Sequence, residues 1–282
     1  MMIKPTEVMG QPAMWLQAPD GAQATVLLHG GQLVSWIPAG DQERLYLSPL
    51  AGFGEGQAVR GGIPVIFPQF EQHGPLPRHG LARTRSWQWV EGAVRGGAAI
   101  GVLRLSDDDA SRAIWPHRFE AELSFSFAGL QLEVELAITN TGEAPFDFTA
   151  ALHSYLLIDD LKHARLAGLY GVRYLDKLTG QTQPQELDPL GFVGQIDRIY
   201  YDAHQIHKAP LTLATAMGRM AISNEGFDDV VVWNPGPAQA AAMADLPDAD
   251  WQHFLCVEAA AIGRPVTLAP GQEWIARQGF DA

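Results

Sequence analysis

Cysteine is almost absent from this sequence: among 282 residues, Cys256 is the only one. A single cysteine excludes an intrachain disulfide and is typical of proteins that work in a reducing compartment. The amino terminus shows no apolar signal segment, and no apolar run reaches the roughly 18 residues that span a bilayer. We therefore expect a cytoplasmic protein with no membrane partner.

Positive charge is scarce as well. The 19 lysines and arginines face 32 aspartates and glutamates, which gives a formal net charge of -13. A chain this acidic repels the phosphate backbone of nucleic acids, so we expect no nucleic-acid partner.

Several catalytic signatures are missing. The chain has no G-x-S-x-G elbow, no P-loop, no dinucleotide fingerprint after a strand and no H-E-x-x-H pair of metal ligands. His73 with His79, and His204 with His207, lack the spacing of a recognised ligand framework. We predict neither a cofactor nor a bound metal.

The scarce positive charge is concentrated in one stretch, VRGGIPVIFPQFEQHGPLPRHGLAR, at residues 59–83. Between Arg60 and Arg85 there are four arginines and a single acid, Glu71. Glycine and proline interrupt the stretch so often that it predicts neither a regular helix nor a central strand. Because a guanidinium pairs with phosphate or carboxylate through two parallel hydrogen bonds, the cluster indicates an anion site. Solvated loop arginines or structural salt bridges are the alternative explanation.

Alternation with period two dominates the remaining chain. From Leu130 to Ile138, apolar residues alternate with glutamine and glutamate, and residues 122–127 alternate in the same way. The two runs meet at Ala128-Gly129, which predicts a hairpin turn. Many such strands with few helices predict an all-β protein, a large antiparallel β-sandwich.

Other strand-like runs include 147–157, 254–259 and 266–268. The stretches 109–115 and 248–254 predict short helices, and the poorly patterned 177–195 predicts a long surface loop. Because no linker or change of composition interrupts the pattern, we expect residues 1–282 to form a single domain.

Two ionisable residues stand inside apolar, strand-like runs. His153 lies within TAALHSY, and Glu258 is the one charged residue in FLCVEAA. Alternation puts Glu258 on the same strand face as Cys256, and His153 on the same face as Tyr155. Burying a carboxylate is costly unless it is paired or protonated, which favours a functional role for Glu258. For His153 a hydrogen-bonded core histidine is the simpler alternative.

Several motifs occur together and in order: RGGIPVIFPQF at 60–70, HGLAR at 79–83, ALHSY at 151–155, GVRYLDK at 171–177, VVWNPG at 231–236 and CVEAA at 256–260. With them the chain resembles the aldose 1-epimerase (galactose mutarotase) superfamily, and within it the hexose-6-phosphate mutarotases, or glucose-6-phosphate 1-epimerases. The resemblance extends over nearly the whole chain. It implies the galactose mutarotase-like supersandwich, with a sugar bound on a concave face.

The resemblance also implies roles for individual residues. His153 would be the general acid and Glu258 the general base. Arg60 and Arg83 would bind the substrate, including its phosphate. Asp176 falls where the family has an acid that contacts sugar hydroxyls.

Three further residues complete the expected substrate site. His79 resembles the second active-site histidine of the family. Arg78 stands where some relatives have glutamine, and a third arginine would suit a phosphate. Trp233 is either a core aromatic or a platform for a sugar ring.

On this resemblance we expect a monomeric isomerase, without cofactor, that interconverts the anomers of glucose 6-phosphate and related hexose 6-phosphates. A base removes the proton of the C1 hydroxyl while an acid protonates the ring oxygen, and the same groups reclose the ring. Two alternatives remain open: a mutarotase for neutral aldoses, and a non-catalytic sugar-phosphate-binding protein.

Overall fold

Antiparallel strands make up most of the structure, a computed structural model that describes residues 2–52, 54, 56–206 and 208–282. His207 therefore lies outside the described residues. In chain order the strands are β1 (Met2–Val8), β2 (Gln11–Gln17), β3 (Gln23–Leu27), β4 (Leu33–Ile37), β5 (Val65–Ile66), β6 (Gln88–Arg95), β7 (Ala98–Ser106), β8 (Phe119–Ala128), β9 (Gln131–Asn140), β10 (Phe146–Leu152), β11 (Tyr155–Leu157), β12 (Arg165–Ala167), β13 (Arg173–Asp176), β14 (Gln181–Pro184), β15 (Leu190–Gly191), β16 (Ile196–Tyr200), β17 (Leu211–Thr215), β18 (Gly218–Glu225), β19 (Asp229–Asn234), β20 (Phe254–Leu268) and β21 (Glu273–Asp281).

Among the residues that the structure describes, helices are few and short. They are α1 (Asp109–Ile114), α2 (Ala203–Ile206), α3 (Gly236–Ala240) and two 3₁₀ turns, Ala82–Thr84 and Asp250–His253. Within the described ranges, none of them has the length and apolar character of a membrane-crossing helix.

The strands form three sheets. A four-stranded sheet has the order β1-β2-β3-β4, and a nine-stranded sheet has the order β15-β12-β17-β18-β21-β9-β8-β7-β6. An eight-stranded sheet has the order β14-β13-β16-β19-β20-β10-β5, and β11 pairs with β20 beside β10. This architecture confirms the predicted all-β class and the large antiparallel β-sandwich.

The hairpin of β8 and β9 shows how the alternation builds the core. Phe125 and Phe127 of β8 and Leu132 and Val134 of β9 are buried, while the residues between them are more exposed. Leu130, which the pattern assigned to the buried face, instead lies in the turn and is 44% exposed. One continuous apolar core joins this face to the eight-stranded sheet, where Val257 faces it.

Strand β20 separates the core from the site by the same alternation. Leu255, Val257 and Ala259 belong to the main core cluster. Cys256 packs in a different cluster on the opposite face of the sheet, so Glu258 lies on that face too. The predicted runs 254–259 and 266–268 are parts of this one long strand.

The predicted strand 147–157 is interrupted at His153-Ser154, between β10 and β11. At the break the His153 N–H donates to the Pro64 carbonyl at 3.0 Å, and the Tyr155 N–H donates to the Gly62 carbonyl at 2.9 Å. The arginine-bearing segment therefore runs directly beside the strand that carries His153.

Two glycines allow that close approach. Gly61 and Gly62 both have positive φ, 117° and 60°. A Cβ at Gly61 would lie 2.4 Å from the Tyr46 carbonyl oxygen, and one at Gly62 would lie 2.2 Å from that of Leu33. Only glycine fits both constraints, which explains the RGG motif.

The region 177–195 was predicted as a long loop, and this was partly wrong. It contains β14 and β15, which extend the edges of two sheets. Strand β14 is exposed along its whole length, so it lacks the apolar alternation by which strands are recognised. The predicted helix 109–115 corresponds to α1, and 248–254 contains only a 3₁₀ turn.

Candidate active site

His153 and Glu258 face each other across adjacent strands. Ala151 pairs with Ala260 and Tyr155 with Cys256, and the same register places His153 opposite Glu258. The His153 Nε2 lies 3.3 Å from the Glu258 Oε1. Both residues are buried, with Glu258 only 1% exposed.

The pKa values of this pair are shifted in opposite directions. Burial lowers the pKa of His153 well below 6.5, and the charges of Arg83 and Arg60 lower it further. Burial also raises the pKa of Glu258 well above 4.5. Asp197 and Glu71 raise the pKa of this carboxyl group further, against an opposing effect of Lys177 and Arg83. Because the two groups are in contact, they titrate as a unit that holds one proton between its two transitions.

Aromatic rings fix the orientation of the His153 imidazole. It stacks on Tyr155 with ring centroids 4.8 Å apart and an interplanar angle of 12°. The edges of His79 and Trp233 approach it, each with a centroid separation of 5.9 Å. Trp233 also contacts Tyr155 and Phe254, so it belongs to the aromatic cluster beside His153.

His79 is held in a single tautomer. It has a φ of 67°, and its Nδ1 accepts a hydrogen bond from the Glu71 N–H at 3.3 Å. The other ring nitrogen, Nε2, must then carry the proton. Burial, followed by the charge of Arg83, lowers the pKa of His79 far below 6.5, so the ring is a neutral hydrogen-bond donor.

Arg60 is tied to protein partners. Its Nη1 donates to the Tyr155 hydroxyl at 2.9 Å, and its Nε donates to the Asp245 Oδ2 at 3.2 Å. Burial would lower the pKa of Arg60, but Tyr155 and Asp245 outweigh this effect and raise it. Asp245 therefore neutralises part of the positive charge that Arg60 would offer to a ligand.

Arg83 is less fully satisfied. Its Nη2 donates to the Arg78 carbonyl at 2.9 Å, whereas its buried Nε has no hydrogen-bond partner in the described part of the chain. Burial, with the charges of Arg60 and Arg78, lowers the pKa of Arg83 to about 10 despite the opposing effect of Tyr155. A partly buried guanidinium with an unused, buried Nε donor is suited to an anionic ligand.

A cavity of about 1120 Å³ opens beside this arginine, and Arg78, Arg83 and Arg85 contribute to its wall. The side chain of Arg78 is 59% exposed, and its Nη2 lies 3.5 Å from the Glu71 Oε1. Arg85 pairs with Asp108 at 3.3 Å.

Three residues of this face were missed by the sequence analysis: Glu71, Lys177 and Asp197. The Lys177 Nζ pairs with the Glu71 carboxylate and lies 3.5 Å from the Asp197 Oδ2. In the strand register Asp197 lies opposite Trp233, and Trp233 lies opposite Cys256. Asp197 is therefore on the same face of the sheet as the catalytic pair. Burial raises the pKa of the Asp197 carboxyl group. The sequence carries little signal for Asp197, because 177–195 lacks an apolar pattern and the five-residue β16 follows directly after it.

Asp176 is not on this face, contrary to its expected contact with the sugar. In the strand register Asp176 lies opposite Arg198, Arg198 opposite Val232, and Val232 opposite Val257. Side chains in one such row share a face of the sheet, and Val257 faces the main core. Its carboxylate accepts hydrogen bonds from the Leu178 and Thr179 N–H groups at 3.0 and 3.3 Å. The alternation of β13 thus assigns Asp176 a structural position, and the next residue, Lys177, reaches the site.

The chain can now be compared with known proteins. The profile of the family described as aldose 1-epimerase matches residues 12–281. The chain belongs to this family. It is therefore an isomerase that acts on a small-molecule sugar.

Two relatives share about a third of its residues. One from Cenchrus ciliaris, named "Putative glucose-6-phosphate 1-epimerase", is 36% identical over 271 residues, which are 92% of this chain and 81% of the relative. One from Escherichia coli K12 with the same name is 34% identical over 245 residues, which are 84% of this chain and 79% of the relative.

Solved structures agree with the fold. A crystal structure of a protein described as a putative mutarotase from Salmonella typhimurium has a TM-score of 0.88 and 28% identity, and covers 99% of this chain and 92% of its own. A crystal structure described as a putative aldose 1-epimerase from Escherichia coli K12, at 14% identity and a TM-score of 0.70, covers 99% of this chain and 99% of its own and supports the fold alone.

The opposite faces of Asp176 and Asp197 lead to a paired prediction. We expect Asp197→Asn to lower kcat/KM for the sugar about tenfold or more, because one charged hydrogen bond contributes about 1.5–3 kcal/mol. Asp176→Asn should instead lower the free energy of unfolding by about 1–3 kcal/mol and leave kcat/KM within about threefold. Steady-state kinetics and urea unfolding of both variants measure the two effects. Normal kinetics for the Asp197 variant together with defective kinetics for the Asp176 variant would contradict the assignment of faces.

Proposed function

We propose that the protein is a hexose-6-phosphate mutarotase that interconverts the α and β anomers, with glucose 6-phosphate as its main substrate. The observation that carries the proposal is a buried acid–base pair, His153 and Glu258, beside Arg83, a partly buried arginine whose buried Nε is an unused donor. The names of the relatives from Cenchrus ciliaris and Escherichia coli point to the same substrate.

The pair suffices for ring opening. In the active form Glu258 is a carboxylate that takes the proton of the C1 hydroxyl, and His153 is an imidazolium that protonates the ring oxygen as the C1–O5 bond breaks. The open-chain aldehyde rotates about C1–C2, and the two groups act in reverse to close the ring. The pair can also exist in a neutral form, with a protonated Glu258 and an uncharged His153. Both forms hold one proton, so transfer of that proton across the 3.3 Å gap between Nε2 and Oε1 interconverts them.

The surrounding groups support this chemistry. Stacking on Tyr155 keeps the His153 imidazole in one plane. His79 presents a neutral Nε2–H donor next to His153, in reach of a sugar oxygen. Asp197 supplies a carboxylate on the same face for a sugar hydroxyl, with Lys177 holding it in place.

The phosphate is assigned to the arginine-bearing segment. We propose Arg83 as its main ligand, because Asp245 already neutralises part of the charge of Arg60. Arg60 and the exposed Arg78 are secondary contacts, and Arg78 and Arg83 both line the cavity described above. Trp233 forms part of the wall against the sugar ring.

The proposal also covers the domain organisation, the oligomeric state and the location of the protein. Residues 1–282 form one domain, which is supported by a core cluster that includes both Leu16 and Phe280. The protein acts as a monomer, and it works in the cytoplasm, a reducing compartment that the single cysteine favours.

The catalytic pair is tested by His153→Ala and Glu258→Gln. Each should lower kcat by about 10²–10⁴-fold, the usual contribution of one general acid or base. Exchange between the anomeric proton signals of glucose 6-phosphate, measured by NMR at equilibrium, reports the rate directly. Wild-type rates in both variants would refute the mechanism, and binding without any rate enhancement in the wild type would indicate a sugar-phosphate-binding protein.

Glu258→Gln also has a predicted effect on stability, which separates lost chemistry from lost folding. Because the folded-state pKa of Glu258 is raised, wild-type stability is highest below the unfolded pKa and declines as the pH rises toward the folded one. Glutamine carries no such penalty, so the variant should unfold at a temperature equal to or above that of the wild type at pH 8. A large decrease would mean that the charged carboxylate stabilises the fold.

Arg83→Ala tests phosphate selectivity. It should raise KM for glucose 6-phosphate about 10–100-fold with a smaller change in kcat, because charged hydrogen bonds contribute about 1.5–3 kcal/mol each. With neutral glucose KM should change much less, because the remaining effect of Arg83 on the pKa values of His153 and Glu258 acts on both substrates. Arg85→Ala is the matched control: it removes the same charge from the same cavity wall, but Arg85 is already paired with Asp108. Equal effects of the two substitutions, or an unchanged KM in the Arg83 variant, would reject Arg83 as the phosphate ligand and favour a neutral aldose as substrate.

A further inference from the structure

A third ligating side chain lies against the catalytic pair. Cys256 is two residues before Glu258 on the same face of β20, and its strand partner is Tyr155, two residues after His153. Each of His153, Cys256 and Glu258 offers one ligand atom, and the three atoms lie within 4.8 Å of one another. All three side chains are buried, and the anomer exchange described above makes no use of the thiol.

The spacing is close to that of a tetrahedral zinc site. Zinc–nitrogen and zinc–oxygen bonds of about 2.0–2.2 Å place two such ligands about 3.4 Å apart. The observed separation of His153 Nε2 and Glu258 Oε1 is 3.3 Å. The thiol sulfur would have to approach by about 1 Å to reach a Zn–S bond of about 2.3 Å.

Two atoms of this cluster are unsatisfied. The His153 Nδ1 and the Glu258 Oε2 are buried and have no hydrogen-bond partner among the described residues. Buried polar atoms in native proteins nearly always have a partner, so these orphans indicate that the pair receives a ligand such as the sugar. The cation would instead use the other two atoms, Nε2 and Oε1.

The donor set selects the type of cation. Imidazole, thiolate and carboxylate are all zinc ligands, whereas magnesium and calcium require oxygen. The two anionic ligands would balance the charge of a divalent ion.

We propose that a thiophilic divalent cation, Zn²⁺, binds to His153, Cys256 and Glu258 and blocks the active site. The metal would occupy the groups that transfer the proton, so it would act as an inhibitor rather than a cofactor. The proposed metal binding depends only on the positions of the three side chains, whereas the inhibition rests on the proposed mutarotase function.

The test uses Co²⁺ and Zn²⁺ with the purified full-length protein. Wild type should bind one equivalent of Co²⁺ with a near-ultraviolet thiolate-to-cobalt absorption band, and Zn²⁺ should remove that band. Cys256→Ala should abolish the band and weaken Zn²⁺ binding in equilibrium dialysis by at least about tenfold. Cys256→Ser, which keeps the shape but not the soft ligand, serves as a second variant if alanine impairs folding. His163→Ala is the control, because His163 and Asp159 form an exposed histidine–carboxylate pair at 3.5 Å.

The activity assay completes the test. Zn²⁺ should inhibit anomer exchange in the wild type and the His163 variant, a chelator should restore it, and the Cys256 variants should keep the basal rate while resisting Zn²⁺. A thiolate band without any mutarotase activity would refute the proposed function and leave the metal site intact. Absence of the band in the wild type, or Zn²⁺ affinity unchanged in the Cys256 variants, would overturn the proposal.

Discussion

The register between β20 and the β10–β11 pair is the constraint on which the rest of the site depends. It places His153 across from Glu258 at 3.3 Å and removes both side chains from water. A shift by one residue would turn the whole row into the core, because side chains alternate between the faces. Burial then lowers the pKa of His153 and raises the pKa of Glu258, and both shifts favour the state in which the pair holds one proton. The strand register therefore determines both the distance between the two side chains and the number of protons that they hold.

The anion-binding segment is attached to the same register. Backbone hydrogen bonds from His153 and Tyr155 hold it against β10 and β11, and Gly61 and Gly62 permit the close contact. This arrangement brings positive charge to an otherwise acidic protein at one place, where it also lowers the pKa of His153. The phosphate end and the reacting end of a sugar would thus be recognised by two segments far apart in sequence but joined by main-chain hydrogen bonds.

Much of this could be predicted from the sequence, since period-two alternation marks strands whose two faces differ. It revealed the β8–β9 hairpin and placed Glu258 in an apolar strand. Asp176 and Asp197 could not be distinguished in the same way. Their faces depend on long-range pairing of β13 and β16, and the neighbouring β14 is too exposed to carry an apolar pattern. Family resemblance implied an acid that contacts the sugar, and the strand register indicates that Asp197 rather than Asp176 faces the pair.

The central claim is that burial makes His153 and Glu258 a pair that keeps one proton at neutral pH. The pH dependence of kcat at saturating glucose 6-phosphate, measured by NMR exchange, tests it most directly. The account predicts a bell-shaped profile that is still maximal at neutral pH, because the pKa of His153 is lowered and that of Glu258 is raised. An optimum confined to the range between 4.5 and 6.5, the ordinary values of the two groups, would contradict it.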